Sequence, residues 1–201
     1  MANEITEDVG AQLMMAWKEG DESAFDQLVE TYSGQVYALL TRFMGRHSAR
    51  EDMVQEVFLR VIRARDRYEP RARFTTWLYR IVFNLSVNET QRAGGKGQVS
   101  LDSAGGGRDE DSGPLEIADE RLLDPSEEME RDDVIGAVRA AIQQLPETQR
   151  MALVLAKYED MAYAEIGVIL GSSEKAIKSL IHRARETLRA ELAPLLKEEL
   201  A

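Results

Sequence analysis

The stretch FTTWLYRIVFNLSVNETQR, from Phe74 to Arg92, carries two kinds of side chain at helical spacing. Phe74, Leu78, Ile81 and Leu85 form a stripe to be buried, while Trp77, Arg80, Asn84, Asn88 and Gln91 follow at steps of three, four, four and three along another face. That second face joins an indole, a guanidinium and three amides. An indole stacks on an unpaired base, and arginine and amides hydrogen-bond base edges or phosphates. Trp77 would serve equally well as a core anchor, and spacing alone leaves both roles open. Asn84 and Asn88 weigh toward a use, because asparagine is a poor helix former. Just upstream, RARDRYEPRARF sets Arg63, Arg65, Arg67, Arg71 and Arg73 around Pro70, a bent cationic segment suited to a phosphate backbone.

A second constellation lies in EDMAYAEIGVILGSSEKAIKSLIHRARETLR, Glu159 to Arg189. Tyr163, Ile166, Val168, Ile169 and Leu170 are expected to form the buried side of a short helix. Gly171 tolerates a left-handed turn, and Ser172 or Ser173 is placed to cap the next helix. There Ile177, Ile181, Ala184 and Leu188 share an inward face, which leaves Lys175, Lys178, Ser179, His182, Arg183 and Glu186 outside. This is the pattern of a helix-turn-helix whose second helix enters a major groove; the plainer alternative is a helical hairpin with a solvated basic face.

The elements that position these groups are helical throughout. Gly20 to Arg46 reads as two helices interrupted near Gly34, with Phe25, Leu28, Val29, Tyr32, Val36, Tyr37, Leu40, Phe43 and Met44 inward. A helix from about Ser48 to Arg67 turns Val54, Val57, Phe58 and Val61 inward and displays Glu51, Asp52, Gln55, Glu56 and Arg60. The first 17 residues are an acidic extension, either disordered or packed on the front domain.

Charge is distributed unevenly. The chain has 36 acidic residues against 25 Lys and Arg, a net −11 that would repel nucleic acid if spread evenly. Residues 1–20 carry −3, 21–94 carry +1, 95–133 carry −9 and 134–201 carry 0. The acidity therefore belongs to the middle segment, which opens with AGGKGQVSLDSAGGGRDEDSGPLE and has too few large apolar side chains to fold alone. It reads as a flexible acidic linker, residues 95–129, between helical domains at 18–94 and 130–192, with a short tail at 193–201. The expected fold is all-α, with two small helical domains.

Other function classes find no support. The chain has no cysteine and two isolated histidines, His47 and His182, so neither disulfides nor a zinc-ligand cluster are expected. No phosphate loop or nucleophile motif appears, and no catalytic residue, metal or cofactor is expected. With no apolar run of 18 residues and no signal sequence, a cytoplasmic protein without membrane insertion is expected.

Four segments, GDESAFDQLVETY, SAREDMVQEVFLRVIRARDRY, FTTWLYRIVFNLS and LPETQRMALVLAKYEDMAYAEIGVILGSSEKAIKSLIHRARETLR, together resemble the bacterial extracytoplasmic-function (group IV) sigma factors of the sigma-70 family. The resemblance covers about residues 18–94 and 130–192, in order. It implies a region 2 domain whose helix bearing Asp52, Gln55, Glu56 and Arg60 docks on the β′ clamp helices of core RNA polymerase. Arg71, Arg73, Phe74, Thr76, Trp77, Arg80, Asn84 and Asn88 would then recognise the promoter −10 element and capture a flipped base. The rear domain would be region 4, resting on the β flap. Lys178, Ser179, His182 and Arg183 would read the −35 element, with Lys175 and Arg185 nearer the phosphates. Catalysis would belong to the polymerase, and an anti-sigma factor is an implied partner. A stand-alone operator-binding regulator is the alternative.

Three positions depart from the family pattern. Ala162 stands where Ser or Thr usually caps the first helix of the helix-turn-helix, leaving Asp160 as a substitute cap. Gly167 replaces the usual alanine, and Leu180 stands where arginine is frequent. The acidic linker, with Asp109, Glu110 and Asp111, is a candidate competitor for the basic recognition helix.

Overall fold

The computed structural model describes residues 8–45, 47–94 and 125–198. The segment expected as the acidic linker falls outside the described residues from 95 to 124, and with it Asp109, Glu110 and Asp111.

Helix α1, Val9–Glu19, begins at Asp8, whose Oδ1 accepts from the Ala11 N–H at 3.1 Å. It ends at Gly20, left-handed at φ 114°, where the N–H groups of Gly20 and Asp21 reach back to the carbonyls of Trp17 and Ala16. Met14 and Trp17 are buried, so this part of the acidic extension is packed into the front domain.

Helix α2, Ser23–Met44, runs through Gly34 without a break, contrary to the expected interruption. Leu28, Tyr32, Val36, Leu39, Leu40 and Phe43 keep one buried face across it. That burial outweighs the cost of about 1 kcal/mol for an interior glycine. Helix α3, Arg50–Ala64, buries Met53, Val57, Phe58 and Val61 and tightens into a 3-10 turn at Arg65–Arg67. Pro70 lies in the non-helical bend before α4, Phe74–Gly94.

The rear domain comprises α5 (Pro125–Gln144), α6 (Glu147–Tyr158), α7 (Tyr163–Leu170) and α8 (Glu174–Glu198). Helix α5 begins within the segment expected as linker, and α8 runs through Pro194 into the expected tail. Among the described residues the structure is all-α, with a front and a rear helical domain. The two pack together: α4 lies along α7, and α2 touches α5 and α6.

Candidate nucleic-acid interface

The N-terminus of α4 is pinned by Asp8, whose Oδ2 accepts from the Phe74 N–H at 2.6 Å. Phe74 is fully buried, its ring 4.9 Å from that of Tyr32 and tight against Gly10. Expected as a DNA contact, Phe74 is instead a packing residue, because its ring fills the junction of α1, α2 and α4. Trp77 is half-buried and edge-on to Tyr68, with centroids 5.0 Å apart and planes at 69°. One side is therefore anchored in the packing, and the other lines a cleft of about 440 Å³ with Arg67, Tyr68, Arg71, Thr76 and Arg80.

That cleft is cationic and partly aromatic. Arg67, Arg71 and Arg80 are exposed, and the hydroxyls of Thr76 and Tyr68 are buried without a hydrogen-bond partner among the described residues. Burial pushes the Tyr68 phenol well above its usual range, with the charge of Asp8 adding to the shift. Arg71 is paired with Glu69 at 2.6 Å, and Arg73 lies 3.9 Å from Glu165 of the rear domain. Asn84 is exposed further along α4.

Arg65 belongs to the packing rather than to a phosphate grip. Its guanidinium lies 4.7 Å from the Trp17 ring centroid, donates to the Trp17 carbonyl and pairs with Glu22 at 2.9 Å. Stacked and hydrogen-bonded to α1, it ties the turn after α3 to the end of that helix. Lys18 adds a second tie, donating to the Tyr68 carbonyl at 2.9 Å.

The outward face of α3 forms a separate surface. Asp52 and Gln55 are exposed, while Glu56 accepts from Arg60 at 3.2 Å and from Arg63 at 3.4 Å. Asp52, Glu56 and Arg60 line a cleft of about 270 Å³ together with Asn88, Glu89 and Arg92. Asn88 is thereby grouped with the α3 residues, not with the Trp77 cleft. The charged pattern also concealed two apolar residues: Leu59 and Ile62, spaced three apart on α3, are 44% and 43% exposed. Their spacing was legible, and three residues apart on a helix they are neighbours on its outward face.

In the rear domain, Ile166, Ile169, Ile177, Ile181 and Ala184 are buried as their periodicity requires, but Val168 is 51% exposed. The expected stripe of α7 was too wide. Val168 lies two residues from Ile166, roughly on the opposite side of the helix, and faces the Trp77 cleft. The turn is formed by Gly171 at φ 63° and by the Ser172 N–H, which bonds to the Gly167 carbonyl at 2.9 Å. Ser173 caps α8, its Oγ accepting from the Ala176 N–H at 3.2 Å. At the start of α7 the Ala162 N–H donates to Glu165 at 3.1 Å, so Glu165 provides the reciprocal side-chain contact and Asp160 takes a left-handed conformation instead, φ 48°. Lys175, Lys178, His182 and Arg185 are exposed on α8, with Ser179 and Arg183 half-exposed between them. Leu180 packs against the core.

Among the described residues, no group of His, Asp and Glu side chains is placed to hold a metal ion, and no helix is long and apolar enough to cross a membrane.

The chain is similar to known proteins along most of its length. Residues 28–95 match the family model for Sigma-70 region 2, and residues 135–188 match that for Sigma-70, region 4. The RNA polymerase sigma-H factor of Pseudomonas aeruginosa is 32% identical over 96% of this chain and 99% of its own length. The ECF RNA polymerase sigma-E factor of Escherichia coli K12 is 32% identical over 98% of this chain and 100% of its own. Among solved structures, CnrH in complex with the cytosolic domain of CnrY shares the fold, with a TM-score of 0.64 at 24% identity over 93% of this chain and 99% of that one. A cationic aromatic cleft on one domain, a basic helix-turn-helix on the other and full-length relatives at this identity agree: the chain belongs to the extracytoplasmic-function group of the sigma-70 family of RNA polymerase sigma factors.

Proposed function

We propose that this sigma factor binds core RNA polymerase through the α3 face and reads two promoter elements with two separate surfaces, acting in the cytoplasm and leaving all covalent chemistry to the polymerase. Asp52, Gln55, Glu56 and Arg60, with Leu59 and Ile62 among them, present the charged and apolar mixture of a protein interface to the β′ clamp helices. Arg71, Arg73, Thr76, Trp77, Arg80 and Asn84 face the −10 element, while Phe74 supports them from below. Lys175, Lys178, Ser179, His182, Arg183 and Arg185 face the −35 element in the major groove, with the rear domain resting on the β flap.

The observation that carries this reading is the cleft holding Trp77 and three arginines above the buried hydroxyls of Thr76 and Tyr68. A base taken from the stack costs a few kcal/mol, which stacking of about 1–3 kcal/mol plus hydrogen bonds can offset. Purified core polymerase with and without this chain, incubated with fragmented genomic DNA and scored by transcript start-site mapping, tests it. Starts that appear only with the chain and share two spaced elements support the reading. A chain that footprints DNA alone but yields no starts with polymerase would be an operator-binding regulator instead.

A further inference from the structure

Helices α3 and α4 pack together in opposite directions, and a cleft opens at each end of the pair. In the Trp77 cleft, Ala64 at the end of α3 meets Thr76 and Trp77 at the start of α4. The second cleft, about 270 Å³, sets the first turns of α3 against the last turns of α4. Asn88, which lines it, lies 11 residues beyond Trp77, about 16 Å further along the helix at 1.5 Å per residue.

The two clefts differ in charge. Arg67, Arg71 and Arg80 face the single carboxylate of Glu69 in the first. The second gathers Asp52, Glu56 and Glu89 against Arg60 and Arg92, over a floor of buried Met53 and Leu85. A phosphate entering it meets more carboxylates than guanidiniums and is repelled, whereas a cation is attracted. Glu56 is already engaged by Arg60 and Arg63, so Asp52 and Glu89, one from each helix, are the carboxylates that an incoming cation meets.

The second cleft is also continuous with the outward stripe of α3. Asp52, Gln55, Leu59 and Ile62 follow at steps of three, four and three, sharing one face about 15 Å long, with Glu56 and Arg60 on its flank toward α4. A partner helix laid along Leu59 and Ile62 therefore passes beside the cleft. A long cationic side chain from it can rest its aliphatic stem on Met53 and Leu85 and place its charged head among the carboxylates.

We propose that Asn88 and Glu89 of α4 belong to the polymerase-docking surface, forming with Asp52 a socket for a lysine or arginine side chain of the clamp helices, and take no part in reading DNA. This rests on the α3 face being the surface that docks on polymerase. The boundary between the protein-binding and DNA-binding parts of α4 then falls between Asn84 and Asn88, one turn apart on the same helix.

The test titrates the full chain against purified core polymerase and reads the Kd for the parent, Asn88→Ala, Glu89→Gln and Glu89→Lys, with Gln55→Ala and Leu59→Ala reporting on the α3 face. All four positions are exposed or half-exposed, and circular dichroism checks that each variant is folded. Glu89→Lys is expected to weaken core binding about tenfold, Glu89→Gln less, and Asn88→Ala about threefold. The loss in Glu89→Lys should shrink as salt rises. Holoenzyme assembled at saturating chain should bind a single DNA strand carrying the −10 element of a mapped promoter equally well with every α4 variant. If Gln55→Ala and Leu59→Ala weaken core binding while Glu89→Lys does not, the socket is overturned and the α3 reading stands. If no variant changes core affinity, the α3 reading fails and the socket falls with it. An Asn88→Ala chain that keeps its core affinity but loses strand binding returns Asn88 to the −10 surface and overturns the proposal.

Discussion

Asp8 and Phe74, 66 residues apart, are joined by a 2.6 Å hydrogen bond from the Phe74 N–H to Asp8 Oδ2, while Oδ1 of the same carboxylate caps α1 at Ala11. One side chain thus satisfies orphan donors at the first turns of two helices, and its charge suits both dipoles. Asp8→Ala is expected to destabilise the protein by about 1–3 kcal/mol, with Asp8→Asn costing less. Urea unfolding followed by circular dichroism measures both. Promoter opening should fall as well, since α4 carries the Trp77 surface.

Gly167 stands where the family pattern usually has alanine, at a cost in helix propensity, and the turn after α7 leaves no room for a side chain there. A Cβ at this position would meet the Ser172 carbonyl oxygen at 2.6 Å. Gly167→Ala is expected to displace the turn and destabilise the rear domain by about 1–3 kcal/mol despite the better propensity. Thermal unfolding and gel-shift on −35 duplex held by core polymerase would show both losses; an unchanged melting temperature would mean that the turn relaxes freely.

Arg80 is exposed and Trp77 half-buried, so their alanine variants separate function from stability. Arg80→Ala should leave the melting temperature within about 1 °C, a surface effect under 0.5 kcal/mol, yet reduce open-complex formation several-fold by permanganate footprinting. Trp77→Ala should lower both readouts, by about 1–3 kcal/mol in stability, because its edge contact with Tyr68 is lost as well.

Burial raises the phenol pKa of Tyr32, Tyr68 and Tyr79, and for Tyr79 the hydrogen bond to Glu159 adds to the shift. The unfolded chain releases these protons near pH 10, and the folded chain holds them higher. Their contribution to stability is complete below about pH 10 and is lost above it, as the unfolded state comes to bind fewer protons. Urea midpoints between pH 8 and 11 should be flat at first and then fall. Tyr79→Phe should remove about one proton, or 1.4 kcal/mol per pH unit, from the steep limb.

Periodicity made most of the helical scaffold legible. The Ile177, Ile181 and Ala184 face is buried as its spacing requires, as are Phe74, Leu78 and Leu85. Local signals failed where a distant contact decided the outcome. Gly34 reads as a breaker until the buried face on both sides of it is known, and Val168 reads as core until the Trp77 cleft is seen beside it. Arg65 and Glu159 are ordinary charged residues in sequence. Only the fold brings the first to Trp17 and the second to Tyr79, across 48 and 80 residues.

The engagement of Arg65 with Trp17 and Glu22 has a consequence for counterions. Each cation that neutralises a phosphate releases condensed salt and contributes about 0.9 to the log–log slope of affinity against salt on duplex DNA. A count of arginines in RARDRYEPRARF suggests five such exchanges. Arg65 takes part in none, and Arg71 must first give up Glu69. Promoter binding by the holoenzyme should accordingly tolerate rising ionic strength better than the arginine count implies, so that affinity in a salt-stressed cell is set more by stacking and shape than by charge.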